Sequence, residues 1–264
     1  MAFEFPDSGA DSAYTGMGEQ LYATQPAFKA ALDACEELLG RQLGKTLKDV
    51  LFQAGGLANP QHAQPALFAY QYALAQLWQS WGVSPAVVAG HGVGEFVAGV
   101  IAGIFSLADG LKMVMMRAQL LANDPTWAMG GNMFGMVANM VTYSAPTIPF
   151  VSSKTGQAGD AAAATGDYWK DQPLYKMDVP TAVAAAKTLG ADVFAQVGPS
   201  TVHAAAGKQV LGDAAASWLS TMDQSMPEGR CSLEMAAGLM QLNVALAAST
   251  SWSTTPFPPR SARY

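Results

Sequence analysis

Cysteine and histidine are scarce in this chain of 264 residues, with two of the first (Cys35, Cys231) and three of the second (His62, His91, His203). Two cysteines make no disulfide framework, and histidines so widely scattered offer no metal-ligand spacing, so a metal centre is not expected and a reducing cytoplasm fits best. Charge is also thin. Charged residues are 13% of the chain, and 14 Lys and Arg against 20 Asp and Glu leave a net charge of −6. A chain without a basic footprint is not expected to bind nucleic acid or an anionic membrane surface. Long apolar runs are missing as well: the most apolar stretch, residues 83–116, is interrupted by Pro85, His91, Glu95, Asp109 and Lys112. That leaves no uninterrupted run of about 18 apolar residues of the kind a membrane span needs. Nor is a secretory leader expected, because residues 1–5 lack a basic flank and Pro6-Asp7 ends the short apolar run.

What is present is apolar material with regular spacing. Half the residues are hydrophobic, which excludes a disordered chain. At roughly 150 residues per domain, the length allows one large domain, alone or with an appendage. Residues 2–5 predict a strand. Behind Pro26, residues Phe28, Leu32, Cys35, Leu38 and Leu39 recur at helical spacing up to Gly40 and predict a helix over 26–39. A turn or two of helix follows at 46–52, and a longer helix is marked by Leu67, Tyr70, Leu74, Leu77, Trp78 and Trp81 before Gly82. Residues 86–90 read as a buried strand, then a tight turn, then helices from Glu95 to about Phe105 and over 108–122. The Gly- and Met-rich stretch 127–141 has weak periodicity and carries no assignment. Strands are expected at 149–152, 192–197 and 215–221, and helices at 179–189, 201–209 and 232–247. Residues 157–166 read as a loop with little core potential. The Ser-, Thr- and Pro-rich tail 249–264 reads as an extended linker. Strands alternating with helices predict an α/β fold, a parallel sheet flanked by helices on both faces.

The turn Gly90-His91-Gly92-Val93-Gly94 joins a strand to a helix, where an α/β-hydrolase-like protein keeps a nucleophile elbow of pattern G-x-S-x-G. The flanking glycines fit the steric demand of strand and helix approaching closely. The central residue of that pattern is a serine, and the next backbone N–H, here that of Val93, contributes to an oxyanion hole. Here the centre is Gly92, so the geometry has no nucleophile.

The neighbouring residues carry a resemblance. Gln64-Pro65-Ala66-Leu67-Phe68-Ala69, Trp81-Gly82-Val83-Ser84-Pro85 and the run from Gly90 through Glu95 to Gly99 resemble the acyltransferase family of polyketide and fatty acid synthases, whose elbow reads G-H-S-x-G-E. Phe5-Pro6-Asp7-Ser8-Gly9 is similar to its first loop, Met116-Arg117 to its M-R pair, residues 148–156 to its segment before the last third, Val197-Gly198-Pro199 to its V-G-P turn, and residues 255–264 to the linker leaving such a domain. The resemblance implies an α/β-hydrolase-like large subdomain and transfer of a malonyl or methylmalonyl group. The group passes from coenzyme A through the elbow serine to the phosphopantetheine of an acyl carrier protein, with no other cofactor. It implies a substrate-binding role for Arg117, the family's bidentate carboxylate clamp. It places Gln64, Ser8 and Val93 beside the substrate, and His91 next to the nucleophile position.

The same comparison marks departures. Gly92 replaces the serine, Ser8 replaces a glutamine, and Asp7 adds a charge beside the oxyanion position. The family's histidine base precedes the segment that begins here at Ile148, but Ser144-Ala145-Pro146-Thr147 contains none, and His62, His91 and His203 read as structural. Near Pro173, Tyr175 stands in place of a family glutamine. The ferredoxin-like small subdomain is expected to be largely missing, deleted between about 123 and 147, so that residues 1–248 form an acyltransferase-like domain and 249–264 its linker. These losses predict a catalytically inactive pseudo-acyltransferase serving a structural or docking role. Its expected partners are a ketosynthase, an acyl carrier protein and a separate acyltransferase acting in trans. The alternative is an acyltransferase moving a malonyl-type group from CoA to an acyl carrier protein, either with a rearranged site, for which Ser152 or Ser153 would have to supply the nucleophile, or as an engineered, nucleophile-less form of an active one. An exposed apolar patch around 127–141 is also expected, where a lid would otherwise sit.

Overall fold

The computed structural model describes residues 1–6, 13–123, 130–176, 178–199, 202–212 and 218–221. Five short strands form one sheet: β1 (Ala2–Phe5), β2 (Val87–Gly90), β3 (Phe150–Val151), β4 (Phe194–Gln196) and β5 (Trp218–Ser220). Their order is β3-β2-β1-β4-β5, and all four pairings are parallel. The connections carry helices α1 (Glu19–Thr24), α2 (Pro26–Leu39), α3 (Leu47–Phe52), α4 (Pro60–Ser80), α5 (Val93–Ile101), α6 (Leu107–Asn123), α7 (Gly130–Asn139), α8 (Asp160–Ala163), α9 (Gly166–Trp169), α10 (Val179–Thr188) and α11 (Val202–Leu211). The α/β fold expected from the alternation is the one observed.

Alternation along β1 sorts the layers, because successive side chains leave a strand on opposite faces. Phe3 and Phe5 enter the larger core with Phe28 and Leu32 of α2, Phe68, Leu74 and Trp78 of α4, and Phe96 of α5. Ala2 enters the smaller core on the other face with Val87, Ala89 and Phe194, beneath Ala182, Val183 and Ala186 of α10 and Leu211 of α11. Each fully buried aromatic of this kind contributes about 1.5–3 kcal/mol from removal of apolar surface. Phe3 meets Trp78 edge-on at 6.5 Å, and Phe194 stacks on Trp218 at 5.6 Å.

The element boundaries follow local chemistry. Strand β1 and helix α2 match their expected spans. Helix α4 begins earlier than its aromatic stripe suggests, because Asn59 caps it by accepting from Gln61 N at 2.9 Å and Pro60 occupies the first turn. One stretch left without assignment is now placed, and one expectation is corrected. Residues 130–139 form α7, whose period is hidden because both faces are apolar: Phe134 and Ala138 are buried, whereas Met133, Met136 and Met140 are 55%, 69% and 71% exposed. The loop expected over 157–166 contains α8 and buries Ala163, whose carbonyl accepts from Trp169 Nε1 at 2.7 Å. Trp169 is then wrapped by Phe96, Phe105 and Phe150. The methionines divide accordingly, with Met113 and Met115 buried in the core and those of α7 facing outward. The helix expected at 232–247, the linker at 249–264 and Cys231 lie outside the described residues.

Candidate functional site

In a sheet of order 3-2-1-4-5 the chain reverses its direction of growth between β1 and β4, and ligands of open α/β sheets bind beyond the carboxyl ends of the strands at such a point. Three loops gather there. The loop after β1 begins at buried Pro6, whose carbonyl accepts from Gln71 Nε2 at 2.8 Å. The loop after β4 passes through Gly198, where an added Cβ would lie 2.9 Å from both Gln71 Nε2 and Pro6 Cγ. The third loop is the turn after β2.

That turn has the geometry of an elbow. Gly92 is buried at φ 55 and ψ −120, outside the regions that side-chain-bearing residues ordinarily occupy, and it caps the N-terminus of α5. His91 N donates to Phe5 O at 3.0 Å and Gly94 N to His91 O at 2.9 Å, which ties the turn to β1. A Cβ at Gly90 would sit 2.3 Å from Gly94 O, and one at Gly94 would sit 2.1 Å from Phe5 O. Strand and helix therefore approach to a distance only glycine allows.

Beneath the elbow lies a buried polar network. Glu95, in the first turn of α5, is fully buried. Its Oε1 accepts from Ser153 N at 2.9 Å and from Tyr168 OH, and its Oε2 accepts from Ser153 Oγ and from Gln172 Nε2 at 2.9 Å. Gln172 Nε2 also donates to Gly92 O at 2.9 Å. Burial pushes the Glu95 carboxyl above the usual carboxylate range, against the opposing pull of these hydrogen bonds. The same burial raises the Tyr168 hydroxyl, helped by the neighbouring Glu95. Ser152 Oγ closes the network at 2.7 Å from Tyr168 OH.

The structure brings some expected site residues together and separates others. Arg117 on α6 and Gln64 on α4 meet: the guanidinium Nη1 donates to Gln64 Oε1. Arg117 is buried and Gln64 half-buried. Gly92, His91 and Val93 form the elbow. Ser8 and Asp7 lie outside the described residues. Ser152 and Ser153 are each 1% exposed and held in the network, so neither hydroxyl is open to an acyl donor. His62 lies in the first turn of α4. His203 on α11 has its Nδ1 2.7 Å from Glu4 Oε1, and its ring lies 6.4 Å from that of His91. Tyr175 OH donates to Tyr168 O at 2.9 Å, while Gln172 reaches the elbow.

The sequence reading missed Glu4, Glu95, Tyr168 and Gln172 as parts of this site. One signal for Glu95 was available, since a single carboxylate among Phe96, Val97 and Ala98 must be buried and therefore partnered. Nothing local marked Gln172. Among the described residues no group of His, Cys, Asp and Glu is arranged to hold a metal ion, and no helix is long and apolar enough to cross a membrane.

Comparison with known proteins places this geometry. The sequence profile of the acyl transferase domain matches residues 5–137. A phenolphthiocerol/phthiocerol polyketide synthase polypeptide of Mycobacterium tuberculosis is 40% identical over 127 residues, covering 48% of this chain and 8% of that protein. Polyketide synthase GfsA of Streptomyces halstedii is 38% identical over 168 residues, 61% of this chain and 2% of its own length. The chain thus spans a small fraction of the curated synthases it matches. Among solved structures, the acyltransferase domain from the second module of the salinomycin polyketide synthase superposes with a TM-score of 0.83 at 25% identity, covering 93% of this chain and 74% of that one. FabD from Acinetobacter baumannii shares the fold, with a TM-score of 0.75 at 18% identity over 91% of this chain and 98% of that one.

Proposed function

The chain belongs to the acyl transferase domain family, and from that premise we propose that it is a catalytically silent acyltransferase domain of a polyketide synthase, kept as a structural or docking element. The observation that carries the proposal is Gly92, a residue without a side chain at the centre of an elbow whose backbone geometry is otherwise complete. Acyl transfer through an enzyme-bound ester needs a nucleophile, a base to deprotonate it and donors for the developing oxyanion. The first is missing from the elbow. The segment Ser144-Ala145-Pro146-Thr147, where the resemblance would put the base, carries no histidine. The connection from α6 to β3, residues 124–149, is short, which supports the reading of a lost small subdomain. On this reading residues 1–248 are the domain and 249–264 its linker. Its partners are the neighbouring synthase domains, a ketosynthase and an acyl carrier protein, with malonyl groups supplied by an acyltransferase acting in trans.

The test is incubation of the wild-type chain with labelled malonyl-CoA and methylmalonyl-CoA, read by intact mass and by loading of a carrier protein. The expected result is no covalent adduct and no loading above the uncatalysed rate; loading above that rate refutes the proposal. One observation favours the alternative, an active transferase moving a malonyl-type group from CoA to a carrier protein: the rings of His91 and His203 gather near the elbow. Gly92→Ser separates the readings. No acyl-enzyme is expected, because Ser144-Ala145-Pro146-Thr147 puts no histidine at the family position of the base.

A further inference from the structure

The buried amide of Gln172 has a consequence for the elbow that follows from peptide planarity. Its Nε2 lies 2.9 Å from Gly92 O and 2.9 Å from Glu95 Oε2, and the side chain is 1% exposed. The Gly92 carbonyl and the Val93 N–H belong to one peptide unit, and the chain has no cis bonds among the described residues. In a trans peptide the C=O and N–H lie in one plane and point in opposite directions. A donor that pins the carbonyl toward the network therefore fixes the N–H toward the opposite side. We propose that Gln172 is a positioning residue that sets the direction of the Val93 N–H by holding the Gly92 carbonyl, with Glu95 holding Gln172.

The anchoring is rigid at each step. Glu95 is fixed by Ser153 through both its backbone N–H and its hydroxyl, and by Tyr168. Ser153 follows β3, Tyr168 lies in α9, and Gln172 opens the 3₁₀ turn Gln172–Leu174. The segment after β3 thus controls a peptide plane 80 residues earlier in the chain. Glu95 serves as an acceptor that orients the Gln172 amide: without it, rotation of the amide would present Oε1 to the Gly92 carbonyl, oxygen against oxygen. The inference deepens the reading of the elbow and rests on it. It does not depend on whether the wild-type chain transfers acyl groups, which the malonyl-CoA experiment decides separately.

A thiol at the elbow reads the direction of that N–H, because a thiolate is stabilised by N–H donors aimed at it. In a Gly92→Cys, Cys231→Ser background, the pH profile of iodoacetamide alkylation at residue 92 is followed by intact mass; buried Cys35 does not compete. Adding Gln172→Met, similar in size but without the donor, should raise the thiol's apparent pKa and slow alkylation at pH 7 about tenfold, the effect of roughly one pKa unit on the thiolate fraction. Ser152→Ala loosens the far edge of the same network without touching Gly92, and should leave the profile unchanged. An unshifted profile in Gln172→Met, or an equal shift in Ser152→Ala, overturns the proposal. If Gln172→Met does not fold, the wild-type side chain decides: the Gln172 amide protons should exchange at least about 100-fold more slowly than those of an exposed glutamine. Exchange at the exposed rate overturns the proposal equally.

Discussion

The closest contact between sheet and helix gives the sharpest prediction of stability, a single methyl group added at Gly94. In the structure that Cβ would lie 2.1 Å from Phe5 O, 2.6 Å from Phe5 C and 2.8 Å from Phe5 Cβ. Ordinary contact begins at 3.4 Å, so α5 would have to withdraw from β1 by about 1 Å, a displacement that close-packed interiors do not absorb freely. Strand β1 cannot yield, because it is hydrogen-bonded on both sides, to β2 and to β4. Helix α5 cannot easily yield either, since Phe96 and Val97 are fully buried beneath α4 and α6. Overpacking typically costs about 1–3 kcal/mol, and because the atoms met here are backbone that cannot swing aside, about 4 kcal/mol is expected. The gain from replacing a helical glycine by alanine returns about 0.5–1 kcal/mol. The expected net loss for Gly94→Ala is about 3 kcal/mol, near the upper end of the usual range for point mutants.

The control is Gly44→Ala. Gly44, unlike helical Gly94, carries a positive φ, 65, and an added Cβ there meets nothing within 4 Å, so only backbone strain of about 1–2 kcal/mol is at stake. Urea unfolding followed by far-ultraviolet circular dichroism gives both values. With a slope of about 3 kcal/mol/M, the Gly94→Ala midpoint should fall by roughly 1 M and that of Gly44→Ala by about 0.3–0.7 M. A Gly94→Ala protein as stable as Gly44→Ala, with an unchanged slope, would refute the claim that the strand–helix contact is what fixes glycine there.

Two further outcomes follow from burial of titratable groups. Because burial raises the Glu95 carboxyl in the folded state, its contribution is greatest below its unfolded value and is lost as pH rises through the folded value. The stability difference between wild type and Glu95→Gln should therefore shift in favour of wild type as pH falls from 7 toward 5, and a pH-independent difference in urea midpoint would contradict this. Burial also pushes the Cys35 thiol up to about 12, so peptide mapping after native treatment with a thiol reagent at pH 8 should find Cys35 unmodified and, after denaturation, fully modified. Modification of Cys35 at the rate of a free thiol under native conditions would show that α2 opens.

The elements read most accurately from sequence were those whose signal is local. Strand β1 is bounded by Pro6, and α2 is bounded by Pro26 and Gly40 with a clear apolar stripe between them, so their ends are chemical events in the chain itself. Helix α7 was illegible because its outward face carries Met133 and Met136, with Met140 just beyond its end, where a polar face would have revealed the period. Helix α9 is a single turn, too short to have a period, and it exists because Trp169 fills the space between Phe96 and Phe150. The elbow was legible for a similar reason to β1: three glycines in five residues leave few structural explanations. The network under it was not. Glu95 and Gln172 are 77 residues apart, and no local pattern encodes a partner that only the fold supplies.

The split between legible glycines and missing chemistry bears on why the elbow looks as it does. Gly90 and Gly94 are required by packing whether or not the turn catalyses anything, since a side chain at either would drive helix from strand. Gly92 is different, because its φ of 55 is a conformation that a serine would hold at a cost of about 1–3 kcal/mol. A catalytic elbow carries that strain for the sake of its nucleophile; on the proposed reading of a silent domain, glycine at that one position relieves the strain without disturbing the packing around it. Gly92→Ser should destabilise the fold by about 1–3 kcal/mol, an amount set by backbone strain alone. A Gly92→Ser protein that unfolds at higher denaturant than wild type would mean that the turn is not strained and that relief of strain does not account for the glycine.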